Sequence, residues 1–235
     1  GRAFSYWVAL MIDKELNHPD ESVRKETGEM VALLTPIIKA FLTDNAFAAT
    51  NEGMQVFGGH GYIAEWGMEQ YVRDARINMI YEGTNTIQSL DLLGRKVLSD
   101  MGAKLKKFGK IVEAFIEAEG VRKEMAEFID PLAELAKQTE KLTKEIGLKA
   151  MFNHNEVGAA AVPYLRVLGH LVYAYLFARM AKVALANKKS SDTFYQAKLA
   201  TARFYFARLL PEAAYQMQLA RSGEASLMSL DAALF

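Results

Sequence analysis

The chain has 235 residues, of which 51% are hydrophobic, so it can bury a core as one large or two small domains. Its 28 lysines and arginines balance 28 aspartates and glutamates, which gives a nucleic-acid partner no electrostatic support. The absence of cysteine excludes disulfide frameworks, thiolate metal sites and cysteine nucleophiles, and is compatible with an intracellular, cytoplasmic location.

Helical periodicity runs along the chain and strand-like alternation is nearly absent, so the sequence predicts an all-α fold. The first apolar stripe consists of Phe4, Trp7, Val8 and Met11. A second helix is predicted to start near Pro19, capped by Asn17 or His18, and to run to about Asn51 with a bend at Thr35-Pro36. A glycine-dense stretch then predicts a helix end and a tight loop. Its glycines are Gly53, Gly58, Gly59, Gly61 and Gly67.

A short helix is predicted over about Met68–Met79, and Thr84 has the character of the next N-cap. The stripe that follows this cap consists of Ile87, Leu90, Leu93 and Val97. Residues 99–104 are predicted as a domain boundary, and later helices are predicted near 103–119, 121–147, 156–187 and 192–220. The longest uncharged apolar run, Val167–Ala178, has 12 residues, which is too few to cross a bilayer. We therefore expect no transmembrane segment.

Most simple catalytic constellations are absent from the sequence. The four histidines contain no i, i+4 pair, so no metal site is predicted, and no G-x-S-x-G motif supports a serine nucleophile. Glu82, in IYEGTNTIQ, has two interpretations: an acid that favours the dipole of the helix starting at Thr84, or a base. The glycine loop likewise is either a plain helix end or a backbone concavity that receives an anionic ligand.

Three separated motifs carry a family resemblance: QVFGGHGY (Gln55–Tyr62), RDA (Arg73–Ala75) and YEGTNTIQ (Tyr81–Gln88). In this order and at these spacings they resemble the C-terminal helical domain of the acyl-CoA dehydrogenases. From about residue 100 onward, KLATARFYFARLLPE and SGEASLMSLDAALF resemble the extra C-terminal helical region of the family's long branch, which includes 3-methylmercaptopropionyl-CoA dehydrogenase-like proteins. The resemblance implies a helical bundle over residues 1–100 and an additional helical domain over 101–235.

In that family the glutamate of Y-E-G-T is the catalytic base, and this position is Glu82. The resemblance implies that Glu82 takes the pro-R α-proton of an acyl-CoA thioester while the β-hydrogen leaves as hydride to FAD, giving a trans-2-enoyl-CoA. A carboxylate is a stronger base where water is excluded, which the apolar neighbours Ile80 and Tyr81 suit. Gly83 would let the substrate approach closely.

The resemblance also implies two groups of FAD contacts. The loop group, which typically touches the flavin of a neighbouring subunit, is Gln55, Val56, Phe57, Gly58 and Gly59. The group beside the base is Thr84, Asn85 and Thr86, although many members carry Gln where this chain has Thr86. Family membership further implies a homodimer or tetramer and an electron acceptor such as an electron-transfer flavoprotein. The stretch Phe194–Leu210, apolar nearly all round, predicts burial against helices or another chain.

Family members have an N-terminal helical domain and a middle β-domain before this point, and the chain resembles neither. We therefore expect a C-terminal portion of an enzyme that is inactive alone and binds FAD weakly or not at all. The alternative from another class is a helical oligomerisation or interaction module without the chemistry. A related oxidase or nitroalkane oxidase is less favoured, because that class tends to carry Asp at the base position.

Overall fold

The computed structural model describes residues 1–187 and 193–234, and no strand occurs in these ranges, so the all-α fold class is confirmed. The first helices are α1 (Arg2–Asn17), α2 (Glu21–Val56), α3 (Gly59–Tyr62), α4 (Met68–Ile77) and α5 (Asn85–Leu90). The later helices are α6 (Ala103–Gly120), α7 (Ala126–Phe152), α8 (Asn155–Ala186), α9 (Thr193–Phe204), α10 (Glu212–Arg221) and α11 (Ala225–Met228). Single 3₁₀ turns lie at Ala64–Trp66, Leu98–Asp100, Lys123–Met125 and Ala232–Leu234, and π-helical stretches lie at Asp91–Val97 and Tyr205–Leu209.

The start of α2 differs from the prediction. Asp20, and not Asn17 or His18, is the N-cap: its carboxylate accepts a hydrogen bond from the Ser22 amide at 2.8 Å. The helix continues through Pro36 and extends to Val56, five residues beyond the predicted end. This length matters for the candidate site. The glycine loop follows the end of α2, and polar side chains that contact the site lie earlier on the same helix.

Helix α8 lies at the centre of the fold. It packs against α1, α2 and α5 of the first half of the chain and against α7, α9 and α10 of the second. Its middle is buried on every face, with Tyr164, Val167 and Leu168 all fully inaccessible to water. One continuous core therefore crosses the predicted domain boundary near residue 100, and the division into 1–100 and 101–235 stays a prediction.

Two helices in the described ranges, α2 and α8, are long and apolar enough to cross a membrane by length and composition alone. The apolar window of α8 is 67% buried inside the fold, as expected of a core helix, and that of α2 is 39% buried. Burial by neighbouring helices accounts for the apolar character of α8 without a bilayer.

The predicted helix over 192–220 is interrupted. Its first residue, Asp192, lies outside the described residues; α9 ends at Phe204, and Pro211 precedes α10. Burial is also one-sided: Tyr205 is 2% exposed, whereas Phe194 and Phe204 are 55% and 57% exposed. Within the single chain the neighbouring helices cover only part of this apolar stretch, and burial of its remaining faces against another chain stays a prediction.

Candidate functional site

The glycine loop follows directly from the end of α2. The amides of Phe57 and Gly58 donate to the carbonyls of Met54 and Gln55, and Gly58 then takes φ 60°, which is unfavourable for a residue with a side chain. Gly61 has a different constraint, since a Cβ there would lie 2.2 Å from the Met54 carbonyl oxygen. The loop is therefore fixed by backbone contacts.

All five predicted FAD-loop residues, Gln55, Val56, Phe57, Gly58 and Gly59, lie exposed on the surface. Val56 is 85% and Phe57 48% exposed, and a Cβ built on Gly58 or Gly59 would meet no atom within 4 Å. Backbone without side chains on an open surface permits close approach by a flat ligand. The loop offers such a surface and no enclosed pocket of its own.

Glu82 lies in the turn between α4 and α5, in an unusual backbone conformation. Its φ is 54°, in the left-handed region that non-glycine residues avoid, and Gly83 follows at φ 81°. The carbonyl of Glu82 accepts from Nε2 of Gln88 at 3.3 Å, and that of Gly83 accepts from Nζ of Lys39 at 2.7 Å. A strained conformation of this kind persists only where the surroundings over-determine it, and it is often found at functional sites.

The side chains around Glu82 are open to solvent in this chain. Glu82 and Gly83 are exposed, and Ile80 and Tyr81 are 48% and 50% exposed. The Tyr81 hydroxyl donates to Oδ1 of Asn78 at 2.6 Å, which orients the ring. The apolar neighbours predicted to exclude water are therefore present, but these residues alone do not desolvate the carboxylate.

Thr84, Asn85 and Thr86 differ in what their side chains do. Thr84 is the N-cap of α5, as predicted, and its hydroxyl accepts from the Ile87 amide at 3.3 Å. Asn85 is half-buried and turned towards α2, where its Nδ2 donates to Oδ1 of Asp44 at 2.6 Å. Thr86 is exposed. Of the three, Asn85 is the one whose side chain connects the turn to another helix.

The two predicted FAD groups contact α2 at different heights. Asn85 meets α2 at Thr43, 2.9 Å from its Oγ1, whereas the glycine loop begins with Gln55 at the far end. A helix rises about 1.5 Å per residue, so these levels are roughly 18 Å apart along the axis. One chain does not bring the glycine loop and the Glu82 turn together into a single compact site.

A cavity of about 300 Å³ adjoins the second group. It is lined by Thr84, Asn85 and Thr86, by the charged residues Asp44 and Arg76, and by apolar residues that follow α4 or lie on α8. Burial raises the pKa of Asp44, against the lowering effects of the Asn85 hydrogen bond and the Arg166 charge. The wall therefore offers hydroxyl and guanidinium donors, which suit a polar or anionic group.

The sequence analysis missed the polar residues on α2 and α8 that hold the Glu82 turn in place. Lys39 and Asp44 on α2 bind Asn85, and Arg166 on α8 lies 3.9 Å from Asp44. In the fold Lys39 lies near the buried positions Pro36, Ile37 and Ala40 of α2, but its sequence neighbourhood gives no signal of a contact with Asn85. No group of three or more His, Cys, Asp or Glu residues that could hold a metal occurs among the described residues.

Two family models match the chain. "Acyl-CoA dehydrogenase, C-terminal domain" covers residues 21–98, and "Acetyl-CoA dehydrogenase C-terminal like" covers residues 108–231. The first includes the glycine loop and the Glu82 turn, and the second includes α7, α8, α9 and α10. The two matches fall on either side of the boundary expected from the sequence.

Individual relatives agree with these matches. 3-Methylmercaptopropionyl-CoA dehydrogenase of Ruegeria pomeroyi is 34% identical over 222 residues, which is 90% of this chain and 36% of that protein. A butyryl-CoA dehydrogenase of Syntrophomonas wolfei is 30% identical over 224 residues, or 90% of this chain and 35% of that protein. The chain thus spans a little over a third of the length of the curated relatives it matches.

The fold has a solved counterpart in Caenorhabditis elegans ACDH-11, crystallised in complex with C11-CoA. The TM-score is 0.71 at 21% identity, and the match covers 97% of this chain and 38% of that one. The likeness extends through both the first helices and the later ones. The chain therefore belongs to the acyl-CoA dehydrogenase family, whose C-terminal helical domain and additional C-terminal helices it carries.

Proposed function

We propose that this chain is the C-terminal portion of an FAD-dependent acyl-CoA dehydrogenase, and that Glu82 is the base that takes the α-proton of the acyl-CoA thioester. The observation that carries the proposal is the conformation of Glu82, which is left-handed although the residue is not glycine. It is held by hydrogen bonds to the carbonyl oxygens of Glu82 itself and of Gly83. Nothing in the packing of the described residues requires an acid there. Strain at an exposed carboxylate favours a chemical role over a structural one.

The proton transfer follows from what a carboxylate can do at this position. An α-C–H beside a thioester is weakly acidic, so the base has to be oriented and shielded from water. In the whole enzyme the acyl chain and the other domains would supply the shielding, with Ile80 and Tyr81 on the near side. Gly83 lacks a side chain and leaves room for the thioester. The product is a trans-2-enoyl-CoA.

The residues near the turn fit one wall of an FAD site. Thr84 and Thr86 carry hydroxyls beside the 300 Å³ cavity, and Arg76 contributes a guanidinium to the same wall. When bound, FAD supplies the acceptor for the β-hydrogen, and an electron-transfer flavoprotein is the proposed onward acceptor. The remaining walls would belong to the parts of the relatives that this chain does not span.

The separation along α2 supports self-association. The glycine loop lies roughly 18 Å along the helix from the Asn85 contact, which suits contact with a second flavin. We therefore assign Gln55, Val56, Phe57, Gly58 and Gly59 to the FAD of a neighbouring subunit. This assignment requires a homodimer or a larger assembly. The proposed location is the cytoplasm, with which the cysteine-free composition is compatible.

The test is the Glu82→Gln variant of the full-length enzyme, mixed anaerobically with acyl-CoA while the flavin absorbance is followed. We expect FAD to remain bound and the acyl-CoA to bind, with flavin reduction slowed by at least about 100-fold, because an amide cannot accept the proton. The matched control is Glu65→Gln, which removes an exposed acid in the turn before α4. It should reduce flavin at the normal rate.

Two results would count against the proposal. A normal rate of flavin reduction in Glu82→Gln would contradict the assignment of Glu82 as the base. A full-length protein that never carries flavin would favour the non-catalytic interaction module instead. The 235-residue chain alone should bind FAD weakly or not at all, which a flavin spectrum of the purified chain with added FAD checks.

A further inference from the structure

Lys39, on α2, reaches across to the turn that carries Glu82. Its Nζ donates to the carbonyl oxygen of Gly83 at 2.7 Å and to Oδ1 of Asn85 at 2.8 Å. These two acceptors lie on either side of Thr84. One ammonium group therefore links the backbone just after Glu82 to the first residue of α5.

The Asn85 side chain also forms hydrogen bonds with other residues of α2. Its Nδ2 lies within hydrogen-bond distance of Oδ1 of Asp44 at 2.6 Å and of Oγ1 of Thr43 at 2.9 Å. Its Oδ1 accepts from Lys39 and, at 3.2 Å, from the Thr43 hydroxyl. The amide is thus bonded at both ends, and it cannot rotate without breaking several hydrogen bonds at once.

The turn needs this restraint because its conformation is unfavourable. Residues with a side chain avoid the left-handed region because Cβ comes too close to the following carbonyl oxygen, and Glu82 occupies that region directly before a second left-handed residue, Gly83. Gln88 holds the Glu82 carbonyl at 3.3 Å, a long contact, whereas Lys39 holds the Gly83 carbonyl at 2.7 Å and carries a positive charge. Lys39 is therefore the stronger of the two restraints.

We propose that Lys39 is a positioning residue for Glu82, and that it keeps the carboxylate aimed at the substrate by fixing the backbone of the Glu82-Gly83 turn. This inference rests on the proposed role of Glu82 as the base. Lys39 touches neither substrate nor the reacting atoms in this assignment. A misplacement of the base by about 1 Å can lower the rate by on the order of 100-fold. Loss of a restraint on the turn should therefore slow the reaction measurably.

The experiment compares Lys39→Met, Lys39→Arg and wild type as full-length holoenzymes, with rates normalised to bound FAD. For Lys39→Met we expect flavin reduction by acyl-CoA to slow by about 10- to 100-fold, with KM changed less than about threefold. The primary isotope effect with α-deuterated acyl-CoA should rise, because proton removal becomes slower relative to other steps. Lys39→Arg should recover most of the rate, since a guanidinium can also donate to two acceptors.

A second readout does not involve the flavin. Acetyl-CoA has α-hydrogens and no β-carbon, so exchange of its α-hydrogens with deuterated water reports proton removal alone. Lys39→Met should slow this exchange by the same factor as it slows flavin reduction. Lys106→Met removes an exposed lysine of α6 and should leave both rates unchanged.

The outcomes separate the two proposals. If Glu82→Gln blocks both reactions while Lys39→Met proceeds at the wild-type rate, the positioning role is overturned and the base assignment stands. A slow Lys39→Met enzyme with an unchanged isotope effect and normal acetyl-CoA exchange would also overturn it. If Glu82→Gln itself remains active, the assignment of Glu82 as the base is wrong, and the positioning role of Lys39 is then wrong as well.

Discussion

Helix α8 and the Glu82 turn are held in place by different means. In α8 the side chains of Tyr164, Val167 and Leu168 are wholly buried, and contacts on every side fix the helix. In the turn, Glu82 and Gly83 are exposed, and a few directional hydrogen bonds determine the conformation. Burial of apolar side chains contributes a large stabilising free energy that does not depend on direction. Hydrogen bonds add little net free energy, but they specify geometry.

This difference separates stability from chemistry within one small fold. Substitutions around α8 should change the free energy of unfolding strongly. Substitutions in the turn should change it little and act mainly on the reaction. Substitutions at Gly169, Glu212 and Thr84 test this contrast, from the core outward.

The largest loss of stability is expected for Gly169→Ala. A Cβ there would lie 2.2 Å from Cδ2 of Phe41, whose ring is 1% exposed and packs edge-on against His170. The core has no room to move the ring, so we expect the protein to lose about 3 kcal/mol or to fail to fold. Chemical denaturation measures the change.

Gly158→Ala on the same helix is the control, because its Cβ would meet nothing within 4 Å. It should stabilise the protein by up to about 1 kcal/mol through helix propensity. If the two alanine variants behaved alike, packing around α8 would not be the dominant source of stability that the comparison assumes.

An intermediate effect is expected at Glu212 of α10, in the form of a pH dependence. Burial alone would raise the pKa of Glu212, but His170 at 3.2 Å and the Arg166 guanidinium lower it to about 2 from an ordinary 4.5. A depressed carboxyl pKa adds stability above pH 4.5 that disappears as the pH falls towards 2. After allowance for solvent screening we expect about 2 kcal/mol, which Glu212→Gln should lack.

Unfolding measured between pH 7 and pH 2 checks this expectation. The wild type and Glu212→Gln should differ near neutrality and converge in acid. Glu127→Gln, which breaks an exposed pair with Arg203 on the surface, should change the profile little. Equal pH profiles for wild type and Glu212→Gln would show that the half-buried pair adds no stability.

The smallest loss of stability is expected at the turn. Thr84→Ala removes the N-cap of α5, which should cost about 1 kcal/mol and lower the melting temperature slightly. Thr86→Ala, two residues further along and exposed, should leave the melting temperature unchanged. A loss at Thr84 as large as that at Gly169 would contradict the contrast between the two regions.

Much of the helical architecture could be predicted, because periodicity and capping are local properties. The start of α6 at Ala103 and the N-cap at Thr84 both agree with the sequence analysis. The apolar stripe after that cap was only half right: Leu93 and Val97 are fully buried, whereas Ile87 is 51% exposed. Periodicity identifies an apolar face but not whether the chain itself provides a neighbour to cover it.

The restraints on the turn could not be predicted from local pattern. Lys39 and Asn85 are 46 residues apart, and nothing in either neighbourhood indicates the pairing. The left-handed backbone conformation of Glu82 could not be predicted either, because glutamate rarely adopts it. The resemblance pointed to Glu82, Gly83 and the FAD-binding residues, whose roles stay predictions, while the three-dimensional fold revealed the polar groups behind them.

The contact between α2 and α8 also sets the order in which the chain can fold. Arg166 reaches Asn45 across 121 residues of sequence, and the same two helices bury Phe41. A ribosome adds about 5–20 residues per second, so α2 is made on the order of ten seconds before the helix that covers it. During that interval the surface of α2 around Phe41 lacks its α8 neighbour, although α1 can already pack against the same helix. We therefore expect the part of α2 that α8 covers to be accessible in the nascent chain and covered in the finished protein.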